Sequence, residues 1–187
     1  MKAFSVFLAS ASPRRREILK KIGISFSLVK SSYHEKFIPG LSPQELVTRH
    51  AVGKAQKAKI RTKQGLVLGA DTLVFLNKRP LGKPKTLKAA FKMLGSLSGR
   101  AHFVYTGIAL KNLESGKILT GFSKSKVRMK KLSKEKIGKY FQKVNPLDKA
   151  GAYAVQEGPR IVAKVTGSRT NVIGLPVELL KKMLKNF

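Results

Sequence analysis

Cysteine is missing from this 187-residue sequence, so neither a disulfide nor a thiolate metal site can form. That absence is compatible with the cytoplasm, which is the expected location. Acids are scarce as well: 9 Asp and Glu stand against 39 Lys and Arg, for a formal net charge of +30. Such an excess attracts polyanions, whether nucleic acid, anionic membrane or phosphorylated small molecules, and is equally the mark of a solvated basic surface. Aromatic residues make up 7% of the chain and are not interleaved with the basic ones, which argues against a stacking platform for single-stranded nucleic acid. No apolar run has the length of a transmembrane helix. The opening, Met1 to Ser12, begins like a secretory signal, but its apolar part is short and Pro13-Arg14-Arg15-Arg16 follows at once. It therefore reads as a first strand and turn. A nucleophile elbow, a Walker loop and a dinucleotide fingerprint are all missing, and His34, His50 and His102 are scattered without metal-ligand spacing. With no repeat and no clear linker, the chain is expected to form a single domain, 1–187, or one domain elaborated by a lobe.

What is present is organised around Leu66 to Leu76, an almost unbroken apolar run that reads as a buried central strand or strand pair. In its middle sits Asp71, one of only two aspartates, the other being Asp148. A carboxylate there must be paired, hydrogen-bonded or metal-bound, because burying it alone costs several kcal/mol. A site and a structural salt bridge or turn cap both satisfy that demand.

Taken in order, Phe4 to Leu8 reads as the first strand. Ser12 and Pro13 supply an N-cap and first-turn proline for a helix that stops near Gly23. A hydroxyl-rich turn holding Ser10, followed by a helix start bearing Arg14 and Arg15, outlines an anion site. Ile24 to Val29 is a second strand, and Ser42-Pro43-Gln44-Glu45 is a capping box opening a helix that carries Lys54 toward Ile60. After the central run, Lys78-Arg79-Pro80 reads as a turn and Leu81-Gly82-Lys83-Pro84 as a loop. A helix spans about Leu87 to Leu97. Phe103 to Leu110 and Lys117 to Lys130 form a hairpin, Ser133 caps a helix to Phe141, a strand lies near Ile161 to Val165, and Gly174-Leu175-Pro176 opens the last helix. Strands alternating with helices, plus one hairpin, predict a mixed α/β sheet.

The few acids can each be given a task. Glu45, Glu135 and Glu178 fall in first helical turns, Glu17 is helical among cations, and Glu114 is in a hairpin turn. Asp148 pairs locally with Lys149. That leaves Glu35 in a loop, Asp71 in the apolar strand and Glu157 beside Gln156. Of these, Glu35 and Asp71 are the best-placed pair for divalent-metal phosphate chemistry, with Arg14, Arg15, Lys54 and Lys83 as the cations for phosphates.

Several segments, in order along nearly the whole chain, resemble one family, the Maf-like nucleotide pyrophosphatases. They include Leu8 to Arg15 (LASASPRR), Gly69-Ala70-Asp71-Thr72, Gly82-Lys83-Pro84 and Leu97 to His102 (LSGRAH). Further on come Val104-Tyr105-Thr106-Gly107, Asp148 to Tyr153 (DKAGAY), Gln156 and Asn171 to Pro176 (NVIGLP). The resemblance implies an α/β fold similar to the inosine-triphosphate pyrophosphatases, a mixed sheet in two lobes flanking a cleft. It implies hydrolysis of a nucleoside triphosphate to monophosphate and pyrophosphate with Mg²⁺ or Mn²⁺. Asp71 matches the family's proton acceptor. Arg14, Thr72 and Gln156 match positions associated with base choice in the subgroup acting on dTTP and UTP. Ser10, Arg15, Lys54 and Lys83 complete the expected substrate contacts, and Glu35 with Asp71 the metal ligands. Two positions depart from the pattern: His34 stands where an acid is usual, and His50-Ala51 where Leu-Ala precedes the helix lysine.

The expectation is thus a metal-assisted dTTP/UTP pyrophosphatase with water attacking the α-phosphorus. Specific nucleic-acid binding and membrane association are not expected, and homodimer formation is left open. The alternative that the charge excess motivates is a basic nucleic-acid-binding or cell-division-regulating protein on the same scaffold.

Overall fold

The computed structural model describes residues 5–77 and 79–187, so Phe4 and Lys78, which the sequence places in the first strand and in a turn, lie outside the described residues. Its elements in chain order are β1 (Val6–Leu8), α1 (Pro13–Lys21), β2 (Phe26–Leu28), α2 (Pro43–Gln56), β3 (Leu66–Leu76), β4 (Arg79–Leu81) and α3 (Leu87–Leu97). They continue with β5 (Ala101–Asn112), β6 (Ile118–Met129), α4 (Lys134–Lys143), a 3₁₀ turn (Ala150–Ala152), β7 (Val162–Thr166), α5 (Arg169–Ile173) and α6 (Val177–Leu184). The strands make one mixed sheet in the order β2-β1-β3-β5-β6-β7, with β4 added to β3. β1 runs parallel to β2 and β3, whereas β4 on β3 and β7 on β6 are antiparallel. The α/β class expected from alternating patterns is the class observed.

Three local readings need correction. α2 ends at Gln56 rather than running to Ile60, because Lys57 closes its last turn on the Gly53 carbonyl and Ala58 bridges back to Ser31. Arg79 and Pro80 are not a turn but belong to β4, where Pro80 sits opposite Phe75. Proline is tolerated there because a short added strand can leave its nitrogen unpaired. The helix α5 went unread in the sequence. At five residues it is too short to show a period, and it is held by Asn171, whose side chain donates to the Val104 carbonyl at 3.1 Å and to Ser125 Oγ at 2.9 Å.

The chain divides into two compact units, with the boundary between Asp71 and Thr72 within β3. The first contains the residues up to Asp71, Thr106–Ser123 and Gly174–Phe187. Its core includes a cluster of small side chains, Ala9, Ala51, Ala55, Val67 and Ala109. Small residues let a helix backbone press directly on a sheet. A methyl group at Gly69 would strike the Ala51 carbonyl and come within 2.9 Å of the Ala55 nitrogen, and one at Gly107 would lie 2.7 Å from the Thr48 nitrogen. The close seat of α2 therefore depends on glycine in both strands. The capping box fixes where that helix starts: Ser42 accepts from the Glu45 nitrogen and Glu45 accepts from the Ser42 nitrogen at 2.8 Å.

The second unit is Thr72–Tyr105 and Lys124–Ile173. Its core gathers Val74, Leu94, Leu97, Val104, Val127, Met129, Ile137 and Tyr140. Each large apolar side chain buried there contributes about 1.5–3 kcal/mol. α3 and α4 meet through Phe91 and Phe141, edge to face at 5.0 Å. Tyr140 is fully buried, and its hydroxyl bonds both the carbonyl and the nitrogen of Ala154, pinning the segment after the 3₁₀ turn to α4.

Candidate active site

In the first unit, α1, α2 and β3 bring a set of charged side chains together. Asp71 is buried on the central strand, and its Oδ1 accepts from Lys54 Nζ at 2.7 Å. The same ammonium donates to the Ala70 carbonyl at 3.2 Å and pairs with Glu35 Oε1 at 2.5 Å. Two carboxylates thus converge on one lysine. The close seat of α2 is what allows this, since Lys54 stands between the packed residues Gly53 and Ala55. The second Asp71 oxygen, Oδ2, is buried and has no hydrogen-bond partner among the described residues. An orphaned buried carboxylate oxygen is costly, which marks the position as one kept for a ligand, a water or an ion.

Arg15 forms the cationic wall. It is buried, donates through Nε to the Gly174 carbonyl at 2.8 Å, and donates through Nη1 to Ser10 Oγ at 2.7 Å. Burial pulls its guanidinium below the ordinary value, while the charges of Asp71 and Glu35 push it back up and Arg14 lowers it further. The guanidinium is thus buried within the field of both carboxylates. Ser10 Oγ also accepts from the Ser12 nitrogen at 3.3 Å, so its position is held from two sides. Ser12 is the N-cap of α1 by position but makes no side-chain cap bond, and Pro13 at the first turn takes over the start of the helix. Arg14 is half-buried on the same turn.

Tyr33 was not anticipated in this group. Its hydroxyl lies 2.9 Å from His50 Nδ1, and burial, with Asp71 and Glu35 adding to it, raises its phenol against the opposing pull of Arg49. The signal was the His50 departure itself, since a buried histidine needs a polar partner. His34, the other departure, is exposed.

Thr72, Lys83 and Gln156 belong to the second unit. Thr72 follows Asp71 on β3 and is half-buried. Lys83 is exposed on the loop after β4, and the Gly82 carbonyl accepts from the Gly151 nitrogen at 3.2 Å, which ties that loop to the segment starting at Asp148. Gln156 is exposed further along the same segment and donates from Nε2 to Glu157 Oε1 at 3.0 Å. Asp148 has the structural role expected of it, accepting from Lys149 at 2.8 Å. Lys149 itself is buried and also pairs with Glu157 at 2.9 Å, a feature that local sequence could not reveal.

The donor set for a divalent cation is limited to oxygen. No group of three or more His, Asp or Glu side chains arranged to hold a metal occurs among the described residues. Mg²⁺ needs less, because it is commonly held by one or two carboxylates with phosphate oxygens filling the remaining positions. Asp71 Oδ2, orphaned and buried, fits that demand, with Glu35 as the second carboxylate.

The profile of the family described as "Maf-like protein" matches residues 5–187. A protein from Methanosarcina barkeri named dTTP/UTP pyrophosphatase is 46% identical over 182 residues, covering 96% of this chain and 92% of the relative. One of the same name from Gloeobacter violaceus is 42% identical over 183 residues, covering 97% and 95%. Among solved structures, the Staphylococcus aureus Ham1 protein superposes with a TM-score of 0.54 at 16% identity, covering 97% of this chain and 98% of that one, and so shares the fold. No helix among the described residues is long and apolar enough to cross a membrane.

Proposed function

The chain belongs to the Maf-like proteins, and from that premise we propose that it hydrolyses dTTP and UTP, and modified pyrimidine triphosphates, to the monophosphate and pyrophosphate. The observation that carries the reading is Asp71: buried, paired on one oxygen with Lys54 and without a hydrogen-bond partner on the other among the described residues.

In this account a water attacks the α-phosphorus, a new P–O bond forms, and the bond to the bridging oxygen of pyrophosphate breaks. Asp71 orients that water and accepts its proton. Lys54 holds the carboxylate in place through Oδ1 and the Ala70 carbonyl, leaving Oδ2 to face the reaction. Arg14 and Arg15 sit at the first turn of α1, where backbone N–H groups and guanidinium forks favour a phosphate. Ser10, fixed by Arg15, offers a hydroxyl to the same anion. A divalent cation, held by Asp71 and Glu35, would neutralise charge developing on the phosphate oxygens. Lys83 is assigned to phosphate, and Thr72 and Gln156 to the pyrimidine edge. Nucleoside triphosphates are cytoplasmic metabolites, and a cytoplasmic location goes with this reading.

The test is a nucleotide panel with pure protein and Mg²⁺ or Mn²⁺, with products identified. Turnover of dTTP and UTP with one pyrophosphate per monophosphate supports the reading. Orthophosphate and a nucleoside diphosphate contradict it.

A further inference from the structure

Glu157 and Lys149 have no place in the chemistry above, yet Lys149 pairs with two carboxylates of the second unit, those of Asp148 and Glu157. Lys149 Nζ is buried and takes three oxygen partners: Asp148 Oδ1 at 2.8 Å, Glu157 Oε2 at 2.9 Å and the Asn145 carbonyl at 3.0 Å. A buried ammonium with this many acceptors does not swing. Its grip fixes Glu157 through one carboxylate oxygen and leaves Oε1 to receive the Gln156 carboxamide at 3.0 Å. The chain of contacts runs from the rigid interior out to an exposed amide.

The chemistry of that last contact is one-sided. An ionised carboxylate only accepts, whereas a glutamine amide has a donor end and an acceptor end that exchange on a half-turn. Against Glu157 only one of the two orientations makes a bond: Nε2 inward, Oε1 outward. The outer edge therefore presents an acceptor beside one remaining N–H. Both residues line a pocket of about 340 Å³, together with Arg160 and Arg169, so the edge is open to a small ring.

We propose that Glu157, held by Lys149, is a positioning residue that locks the Gln156 amide in the orientation that reads uracil and thymine rather than cytosine. Uracil and thymine offer an N3–H donor next to a carbonyl oxygen, which complements an acceptor next to an N–H. Cytosine reverses both groups at the same two positions, and only the flipped amide would match it. This deepens the pyrimidine reading above and rests on it. It assigns base discrimination to a residue that does not itself touch the base.

The test compares kcat/KM for UTP and CTP in the wild type, Glu157→Gln and Glu157→Ala. A glutamine at 157 can donate or accept, and an alanine does neither, so both release the flip. The UTP-to-CTP ratio is expected to fall about tenfold in each, because a site built around a hydrogen bond loses its selectivity when that bond can reverse. The loss for UTP should appear in KM more than in kcat. A structural defect alone lowers both substrates together and leaves the ratio where it was, and that result overturns the inference while the pyrophosphatase reading stands. A wild type that hydrolyses neither UTP nor dTTP overturns both. Should the variants melt early, the wild-type Gln156 side-chain amide protons decide the matter by NMR. One of them should shift as a neighbouring carboxylate titrates, and no shift counts against the lock.

Discussion

Lys54 Nζ lies 2.7 Å from Asp71 Oδ1, with α2 supplying the cation and β3 the acid. The pair is nearly dry, with 13% and 5% of the two side chains exposed. A buried pair of this kind adds little net stability, but losing one partner leaves a charge uncompensated. Lys54→Met should therefore lower thermal stability by about 3 kcal/mol, the cost of stranding a buried carboxylate, and abolish turnover with it. Differential scanning calorimetry beside a pyrophosphate assay reads both effects. A variant that melts like the wild type would show that Lys54 does not support Asp71.

Asp71→Asn keeps the shape and an acceptor for Lys54 but removes the base. Turnover should fall by about 10²–10⁴, the usual contribution of a positioned general base. The circular dichroism spectrum should be unchanged, so that the loss is chemical. Undiminished hydrolysis would remove Asp71 from the mechanism.

Gly69→Ala tests whether the close seat of α2 is needed. The added methyl meets backbone of Ala51 and Ala55, which cannot rotate away. Overpacking of this kind costs about 1–3 kcal/mol, and here it also pushes Lys54 away from Asp71. The expected result is a lower melting temperature together with lower activity. Loss of stability with full activity would mean that the helix can shift without disturbing the pair.

His102 carries a pH dependence of its own. Burial pushes its imidazole down to about 4 from 6.5, with Nε2 held 2.7 Å from the Tyr153 hydroxyl and Nδ1 buried without a partner among the described residues. Between those two values the unfolded chain binds a proton that the folded one refuses. Stability therefore falls as pH drops from 6.5 toward 4, by up to about 3 kcal/mol from this group. Urea melts across that window should show the slope in the wild type and a reduced slope in His102→Gln. Equal slopes would place the titration elsewhere.

How far the sequence could be read depended on how local each cause was. The capping box at Ser42 and the long apolar run at Leu66–Leu76 carry their signals in neighbouring residues, and both elements stand where those signals put them. β4 was lost to the turn chemistry of Pro80, because only the pairing with Phe75 turns that segment into a strand. In the site, the scarcity of acids pointed to Asp71 and Glu35, and Lys54 joins them as a single cluster. The Lys149 ion pairs could be read only in part. Asp148 is adjacent in sequence, but Glu157 reaches the lysine through a fold-back of the chain that no spacing rule encodes. Likewise, Tyr33 meets His50 across 17 positions, so the buried histidine announced a partner without naming it.

The most direct measurement is product identification from UTP and dTTP with Mg²⁺, in the wild type and in Asp71→Asn side by side. The account predicts one pyrophosphate for each monophosphate in the first and almost none in the second. Release of orthophosphate, or equal pyrophosphate from both proteins, would contradict it.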